Sequence, residues 1–184
     1  MLMPFFIAVL PPPQVMNQIQ SFRQKWDYTQ TSPPHITVKA SSGLTATEDW
    51  VPKIEQICRG FPAFELKLGA PATFGTSVLF NTVLCKEIIT LHLLFVDAIK
   101  PSLHEQKQHY EVTDFIPHLT IVQKNKQMTD DQFFNIKQDA EHTLDEFEPF
   151  IVPSVHIFSM NKSHTYTPVL ELPLRPLKKR NFLM

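Results

Sequence analysis

Apolar residues recur along the chain with two different spacings, which separate predicted strands from predicted helices. Short apolar or β-branched runs predict strands at 3–10, 33–40, 64–68, 77–84, 116–123, 150–160 and 166–172. Apolar residues that recur every three to four positions predict helices at 14–26, 45–58, 87–99 and 129–144. Capping-box spacing at Thr45–Glu48 and at Thr129–Gln132 marks two helix starts, and the polar segment 102–111 is predicted to be a loop. The pattern predicts an α+β fold.

The order of these elements repeats along the chain. A shift of 83 residues aligns His35 with His118 and carries the strand and helix after the first histidine onto those after the second. Two copies, about residues 30–84 and 113–172, then make up most of the sequence. We therefore expect residues 1–184 to form one bilobal domain. Its two antiparallel β-sheets with flanking helices would be related by a pseudo-two-fold axis, and the strands that carry the histidines would face a central cleft.

Each copy contains an H-x-T sequence in a predicted strand. Alternate residues of a strand share a face, so His35 lies beside Thr37, and His118 beside Thr120, while the aliphatic residue between them points to the core. Lys39 continues the first of these faces. Histidine can give or take a proton near neutral pH, and hydroxyl and ammonium groups can stabilise phosphate oxygens. The pattern indicates phosphoryl transfer, with the two histidines as catalytic residues and Thr37, Thr120 and Lys39 as phosphate-binding residues.

Two H-x-T matches could also arise by chance in a chain of this composition, which has 8 histidines. Their shared context argues against chance, because a proline precedes each histidine and aliphatic residues flank each threonine. Among the other histidines, His92 lies in an apolar predicted helix and is expected to be packed in the core. His156 lies in a strand from which it could reach the cleft, although a structural role is the favoured interpretation.

Composition excludes several classes of function. The net charge of −1 gives no sign of the broad basic surface that holds long nucleic acids, and the short Lys178–Arg180 run is interpreted as a solvated tail. This charge favours a small anionic ligand or a single chain end. No cluster has the spacing of a zinc site and no P-loop is present, so no metal and no other cofactor is expected.

Cysteine usage and hydropathy bear on the compartment. Cys58 and Cys85 are the only two cysteines and form no C-x-x-C motif, which argues against a disulfide framework and fits a reducing cytoplasm. No apolar run approaches the roughly 20 residues that a membrane span needs. We therefore predict a cytoplasmic protein that does not contact a membrane, and a monomer is compatible with the sequence.

The segments PPHITVKAS and IPHLTIVQK resemble the paired motifs of the 2H phosphoesterase superfamily, which includes the 2′-5′ RNA ligase and cyclic phosphodiesterase proteins. This resemblance implies a bilobal fold and metal-independent hydrolysis of cyclic phosphates, chiefly 2′,3′-cyclic phosphates, at nucleotide or RNA ends. Some members also join RNA through a 2′-5′ bond without ATP. Lys39 matches a basic residue often found after a motif, whereas Val122 departs from that pattern in the second motif. Phe74 is the candidate for stacking on a nucleotide base.

These inferences lead to one main hypothesis and two alternatives. In the main hypothesis, His118 takes a proton from water and His35 protonates the leaving ribose oxygen, an order of roles that the resemblance suggests and the sequence alone does not fix. The first alternative is a non-catalytic protein that binds RNA ends or nucleotides. The second is an interaction domain in which the two histidines are unrelated. The partner expected in the main hypothesis is the phosphate of a nucleotide or of an RNA end.

Overall fold

The computed structural model describes residues 5–29 and 32–177, so the predicted tail Lys178–Arg180 lies outside the described residues. The strands are β1 (Phe5–Val9), β2 (Ile36–Lys39), β3 (Phe64–Phe74), β4 (Val78–Leu84), β5 (His118–Gln123), β6 (Phe150–Val152), β7 (Ser154–Met160) and β8 (Tyr166–Pro173). The helices are α1 (Pro13–Lys25), α2 (Val51–Gly60), α3 (Lys86–Ile99), α4 (Leu103–Gln108) and α5 (Asp130–Thr143). The α+β class predicted from the sequence is confirmed.

The strands form one sheet in the order β6-β3-β4-β5-β2-β1-β7-β8, and every neighbouring pair is antiparallel. The prediction of two sheets is corrected in this respect. Strands β2 and β5 meet in the middle, where Ile36 pairs with Leu119 and joins two groups of four strands. Because the pairing is confined to this one position, the two motif strands diverge on either side of it.

The helices cover one face of the sheet and bury its apolar side chains. Ile36 and Val38 of β2, and Leu119 of β5, are fully buried in a core shared with Ile19 of α1 and Phe95 of α3. The aliphatic residues of the motifs therefore serve the core, as the strand pattern predicts. The opposite face of β2 and β5 is left to the histidines and threonines.

Of the two capping boxes predicted from the sequence, one forms and the other does not. Thr129 and Gln132 form the predicted capping box at the start of α5. The predicted box at Thr45 and Glu48 does not form, because Glu48 has a φ of 56° and the chain makes a turn before α2 begins at Val51. A capping box at Ser102 instead starts the short helix α4, within the segment predicted to be a loop.

Candidate active site

The pairing of β2 with β5 places both motifs at one position on the sheet. Ile36 pairs antiparallel with Leu119, so His35 lies on the side of Thr120 and Thr37 on the side of His118. The two histidines therefore lie on the same face of the sheet, on either side of the Ile36–Leu119 pair. They are near enough for a charge on His118 to lower the pKa of His35.

Each motif histidine is held by the carbonyl of the residue two positions before it. His35 Nδ1 lies 2.8 Å from the Pro33 oxygen, and His118 Nδ1 lies 2.7 Å from the Ile116 oxygen. A carbonyl can only accept a hydrogen bond, so in both rings Nδ1 carries the hydrogen. The Nε2 atom of each neutral ring then keeps its lone pair. Both imidazoles are therefore fixed in the tautomer that can accept a proton at Nε2, and in the charged form can return it.

A stacked pair of phenylalanines supports each imidazole. Phe6 and Phe158 stack at 4.6 Å between ring centroids, and the His35 ring lies 4.9 Å from the first and 5.6 Å from the second. These rings restrict the orientation of His35 and keep water away from one side of it.

On the other side of the site, Phe74 and Phe80 stack at 4.1 Å, and the His118 ring lies 5.1 Å from each. Phe74, the residue predicted to stack on a base, is 36% exposed and thus keeps an open edge next to His118. The structure places it at the site, and its role in binding a base stays a prediction.

Burial sets the proton affinity of both rings. Desolvation lowers the pKa of His118, and the hydrogen bond to the Ile116 carbonyl opposes this shift. The pKa of His35 is lowered by desolvation, opposed by the bond to Pro33, and then lowered further by the positive charges of Arg23 and His118. The repulsion between the two rings is mutual, so the charge of Arg23 is what disfavours a shared proton on His35.

Lys39 does not reach this site, and its predicted role in phosphate binding is corrected. Its side chain is fully buried, and Nζ donates to Glu111 Oε1 at 2.7 Å, to Ser42 Oγ at 2.7 Å, and to the carbonyls of Ser42 and Ala40. The Glu111 carboxylate neutralises the ammonium and also accepts from the Ser42 hydroxyl. Desolvation lowers the pKa of Lys39, and the carboxylate opposes that shift.

A β-bulge explains why Lys39 leaves the face of the motif. Ala8 of β1 pairs with Thr37, but Ile7 pairs with Lys39, so Val38 is an extra residue between them. An extra residue changes the alternation of side chains, and Lys39 therefore turns to the core side with Ile7. Strand β5 has the same irregularity at Ile121, since Phe80 pairs with Thr120 and Leu79 pairs with Val122. Val122, the equivalent of Lys39, is likewise buried.

Arg23 of α1 is a residue that the sequence pattern did not single out. Its Nε donates to the carbonyl of Ile121 at 2.9 Å and its Nη2 donates to the carbonyl of Thr120 at 2.7 Å. The guanidinium thus lies against the backbone of β5 at Thr120 and Ile121. Burial lowers the pKa of Arg23 to about 10, so it stays charged at neutral pH. Its position in the sequence could have revealed this burial, because Arg23 lies four residues after Ile19 on the apolar face of the helix.

His92 of α3 is buried as expected, and it also connects the two motifs. Its Nδ1 lies 2.7 Å from the carbonyl oxygen of Val38, and the backbone N–H of Val112 donates to its Nε2 at 2.9 Å. Its ring stacks on Phe115 at 3.8 Å. Burial lowers its pKa, which favours the neutral ring that this pair of bonds requires. His92 therefore fixes the segment that leads into β5.

His156 lies on the same face of the sheet, further from the motifs. It pairs with Ala8, which in turn pairs with Thr37. Its Nε2 is 3.9 Å from Glu171, and its Nδ1 is buried with no hydrogen-bond partner among the described residues. The prediction that His156 is a structural residue is not tested by these contacts.

Residues 5–29 and 32–177 contain neither a cluster of metal ligands nor a membrane-spanning helix. In these segments no group of three or more histidine, cysteine, aspartate or glutamate side chains is placed to hold a metal ion. The helices in the same part of the chain include none with the length and apolarity needed to cross a membrane.

A family model matches the sequence, and several solved structures share the fold. A family model described as the 2′-5′ RNA ligase superfamily matches residues 11–163. The solved structure of TT0787 from Thermus thermophilus is similar with a TM-score of 0.66 at 16% identity, over 97% of this chain and 100% of that chain. E. coli LigT complexed with 3′-AMP has a TM-score of 0.59 at 16% identity, over 94% and 98% of the two chains. A structure described as a phosphoesterase has a TM-score of 0.61 at 16% identity, over 95% and 99%. No curated protein sequence matches the chain.

Proposed function

Because the chain belongs to the 2′-5′ RNA ligase superfamily, we propose that it is a metal-independent phosphodiesterase that opens a cyclic phosphate, chiefly the 2′,3′-cyclic phosphate of a nucleotide or an RNA end. The observation that carries the proposal is the matched pair of imidazoles. Each has Nδ1 bound to a backbone carbonyl and Nε2 left for proton transfer. LigT, which has been solved with 3′-AMP, ATP and NADP+, shares this fold and supports a substrate of the nucleotide type.

The proposed reaction is an in-line displacement at phosphorus. Water forms a new P–O bond while one P–O bond to the ribose breaks, which leaves an open monoester. One imidazole takes a proton from the attacking water, and the other gives a proton to the departing ribose oxygen. The hydroxyls of Thr37 and Thr120 donate to the non-bridging oxygens, where negative charge accumulates. A ribose hydroxyl in place of water would make the same site join two RNA ends, which is the ligase reaction that the family resemblance implies.

The charges around the rings favour one order of the two roles. Arg23 disfavours a charge on His35 and is not among the causes that shift the pKa of His118, so in the unliganded protein a single proton favours His118. His35 then acts as the base and His118 as the acid, which reverses the order suggested by the family resemblance.

The free thiols Cys58 and Cys85 fit the cytoplasmic location predicted from the sequence.

Turnover of adenosine 2′,3′-cyclic phosphate tests the proposed activity. His35→Ala and His118→Ala should each lower kcat by at least roughly a hundredfold, because each removes one proton transfer. His104→Ala, at an exposed histidine, is the matched control and should retain full activity. EDTA should leave the rate unchanged. Full activity in either motif variant would refute the proposal, and tight binding without turnover would favour the non-catalytic nucleotide-binding protein.

The same variants show which histidine is the general base and which is the general acid. A nucleoside 3′-(p-nitrophenyl phosphate) releases a leaving group that needs no proton, so loss of the acid should matter little for its hydrolysis. We expect His118→Ala to recover most of its activity on this substrate, and His35→Ala to remain impaired. The opposite outcome would restore His35 as the acid.

A further inference from the structure

A second pocket opens beside the first motif, between α1 and the start of β8, and its volume is about 620 Å³. Pro33, whose carbonyl holds His35, forms part of its wall. Tyr166 forms another part, and its ring meets Phe6 edge-on at 5.0 Å, while Phe6 lies 4.9 Å from the His35 ring. The pocket therefore begins one side chain away from the proposed catalytic imidazole.

The described lining of this pocket is rich in hydrogen-bond donors. It contains six hydroxyl side chains and the amides of two glutamines: Gln20, Gln24, Tyr28, Thr29, Ser32, Thr165, Tyr166 and Thr167. None of the residues that line it in the described part of the chain is acidic. Hydroxyl, amide and guanidinium groups suit the oxygens of a phosphate, and no carboxylate is present there to repel it.

Arg23 supplies the charge of this pocket. It forms part of the wall, is only 6% exposed, and has no carboxylate partner within residues 5–29 and 32–177. A buried charge without an opposite charge nearby is costly, and an anion bound next to it removes much of that cost. The two carbonyls that Arg23 holds satisfy its hydrogen bonds but do not neutralise its charge.

Another pocket, of about 970 Å³, has the opposite character. Among the described residues, its lining contains Asp145, Glu146 and Glu148 and one cation, Lys67. Such a surface repels phosphate. Size alone would favour this pocket, and its charge excludes it as a site for an anionic part of the substrate.

We propose that the pocket around Arg23, the second-phosphate pocket, binds a phosphate group of the substrate other than the one that reacts. This inference rests on the proposed function, which places the reacting phosphate between His35 and His118. Two chemical sources supply a second phosphate on a nucleotide substrate. One is the 5′-phosphate of the reacting nucleotide, and the other is the phosphodiester that joins a preceding nucleotide.

Three substrates and one pair of variants test this pocket. The substrates are adenosine 2′,3′-cyclic phosphate, the same compound with a 5′-phosphate, and the dinucleotide ApA with a terminal 2′,3′-cyclic phosphate. We expect kcat/KM to be about tenfold higher for at least one of the last two, the size of effect expected from one hydrogen bond to a charged group. Whichever of these two substrates has the higher kcat/KM identifies the source of the second phosphate.

The variant Gln20→Glu/Gln24→Glu places two carboxylates at the exposed rim of the pocket. It should abolish the preference, as measured by the ratio of the kcat/KM values. Gln14→Glu/Gln18→Glu makes the same change on the same helix, at positions that line the other pocket, and should keep the preference. Equal kcat/KM values for all three substrates, or an unchanged ratio in the pocket variant, would overturn the proposal.

A binding measurement separates this proposal from the proposed catalysis. Calorimetry should give adenosine 2′,5′-bisphosphate a Kd about tenfold lower than that of adenosine 2′-monophosphate, for the same physical reason. The pocket variant should remove the difference. If the protein hydrolyses none of the substrates but shows this difference, the proposed function fails and the pocket stands. Equal Kd values would overturn the pocket.

Discussion

In each half of the site, a helix side chain donates to a backbone carbonyl of a motif strand, but one donor is charged and the other is neutral. Arg23 of α1 donates to the carbonyl of Ile121, and His92 of α3 donates to the carbonyl of Val38. These carbonyls belong to the extra residues of the two bulges, which lie 83 residues apart like the motif histidines themselves. Each helix therefore satisfies the carbonyl of the bulge in the opposite motif strand. The geometry is shared, whereas one donor is a cation and the other a neutral ring.

The two halves differ in the net charge that they place beside the site. The His92 side also contains Lys39, but Glu111 cancels its charge within the core. The Arg23 side has no such cancellation among the described residues, and its charge reaches His35. A symmetric arrangement of hydrogen bonds thus surrounds an asymmetric distribution of charge. In the proposed mechanism, this asymmetry separates the roles of the two histidines.

The largest effect is expected on stability, when the buried Lys39–Glu111 ion pair beside His92 is broken. Lys39→Met leaves the Glu111 carboxylate buried without its partner, and the free energy of unfolding should fall by roughly 3–5 kcal/mol in urea denaturation. Lys39→Met/Glu111→Leu should recover most of it. Arg59→Met, which breaks an exposed pair with Glu55, should cost less than about 1 kcal/mol. A Lys39→Met protein of normal stability but weak phosphate binding would reinstate the role predicted from the sequence.

Removing the charge of the other half should change the pH dependence of the reaction. Arg23 lowers the pKa of His35, so Arg23→Gln should raise that pKa and move the corresponding limb of the kcat/KM profile to higher pH. Activity at neutral pH should fall roughly tenfold, in line with the loss of one charge near the phosphate. Arg23→Lys retains the charge and should keep the limb in place. An unshifted limb in Arg23→Gln would show that Arg23 acts on the structure alone.

The smallest effect is expected at the aromatic edge beside His118. Phe74→Leu should raise KM for adenosine 2′,3′-cyclic phosphate by roughly fivefold to tenfold, as stacking on a base contributes on the order of 1 kcal/mol or more. Phe158→Leu, in the phenylalanine pair beside His35, provides the comparison, and its effect should appear in kcat because that pair orients the ring. Equal KM values for Phe74→Leu and the unaltered protein would remove Phe74 from base binding.

The sequence predicted those features that local residue spacing specifies, and the internal repeat showed the motif spacing twice. The two H-x-T strands, the α+β class and the capping box at Thr129 could all be predicted, because each follows from local spacing. Lys39 could not, because the prediction assumed strict alternation and a one-residue bulge reverses it. The single pair that joins β2 to β5 was also hidden, since it is a contact between distant strands. Arg23 was missed because a charge on a helix usually faces solvent.

The bulges at Val38 and Ile121 also divide each motif strand by its tolerance of substitution. Residues before the bulge face the cleft, so a deep mutational scan selected for activity should reject nearly every change at Thr37 and Thr120. Residues after it face the core, where packing alone restricts the choice. Lys39 should then accept apolar replacements whenever Glu111 changes with it. Within two residues of the same strand, the chain passes from positions constrained by chemistry to positions constrained by volume.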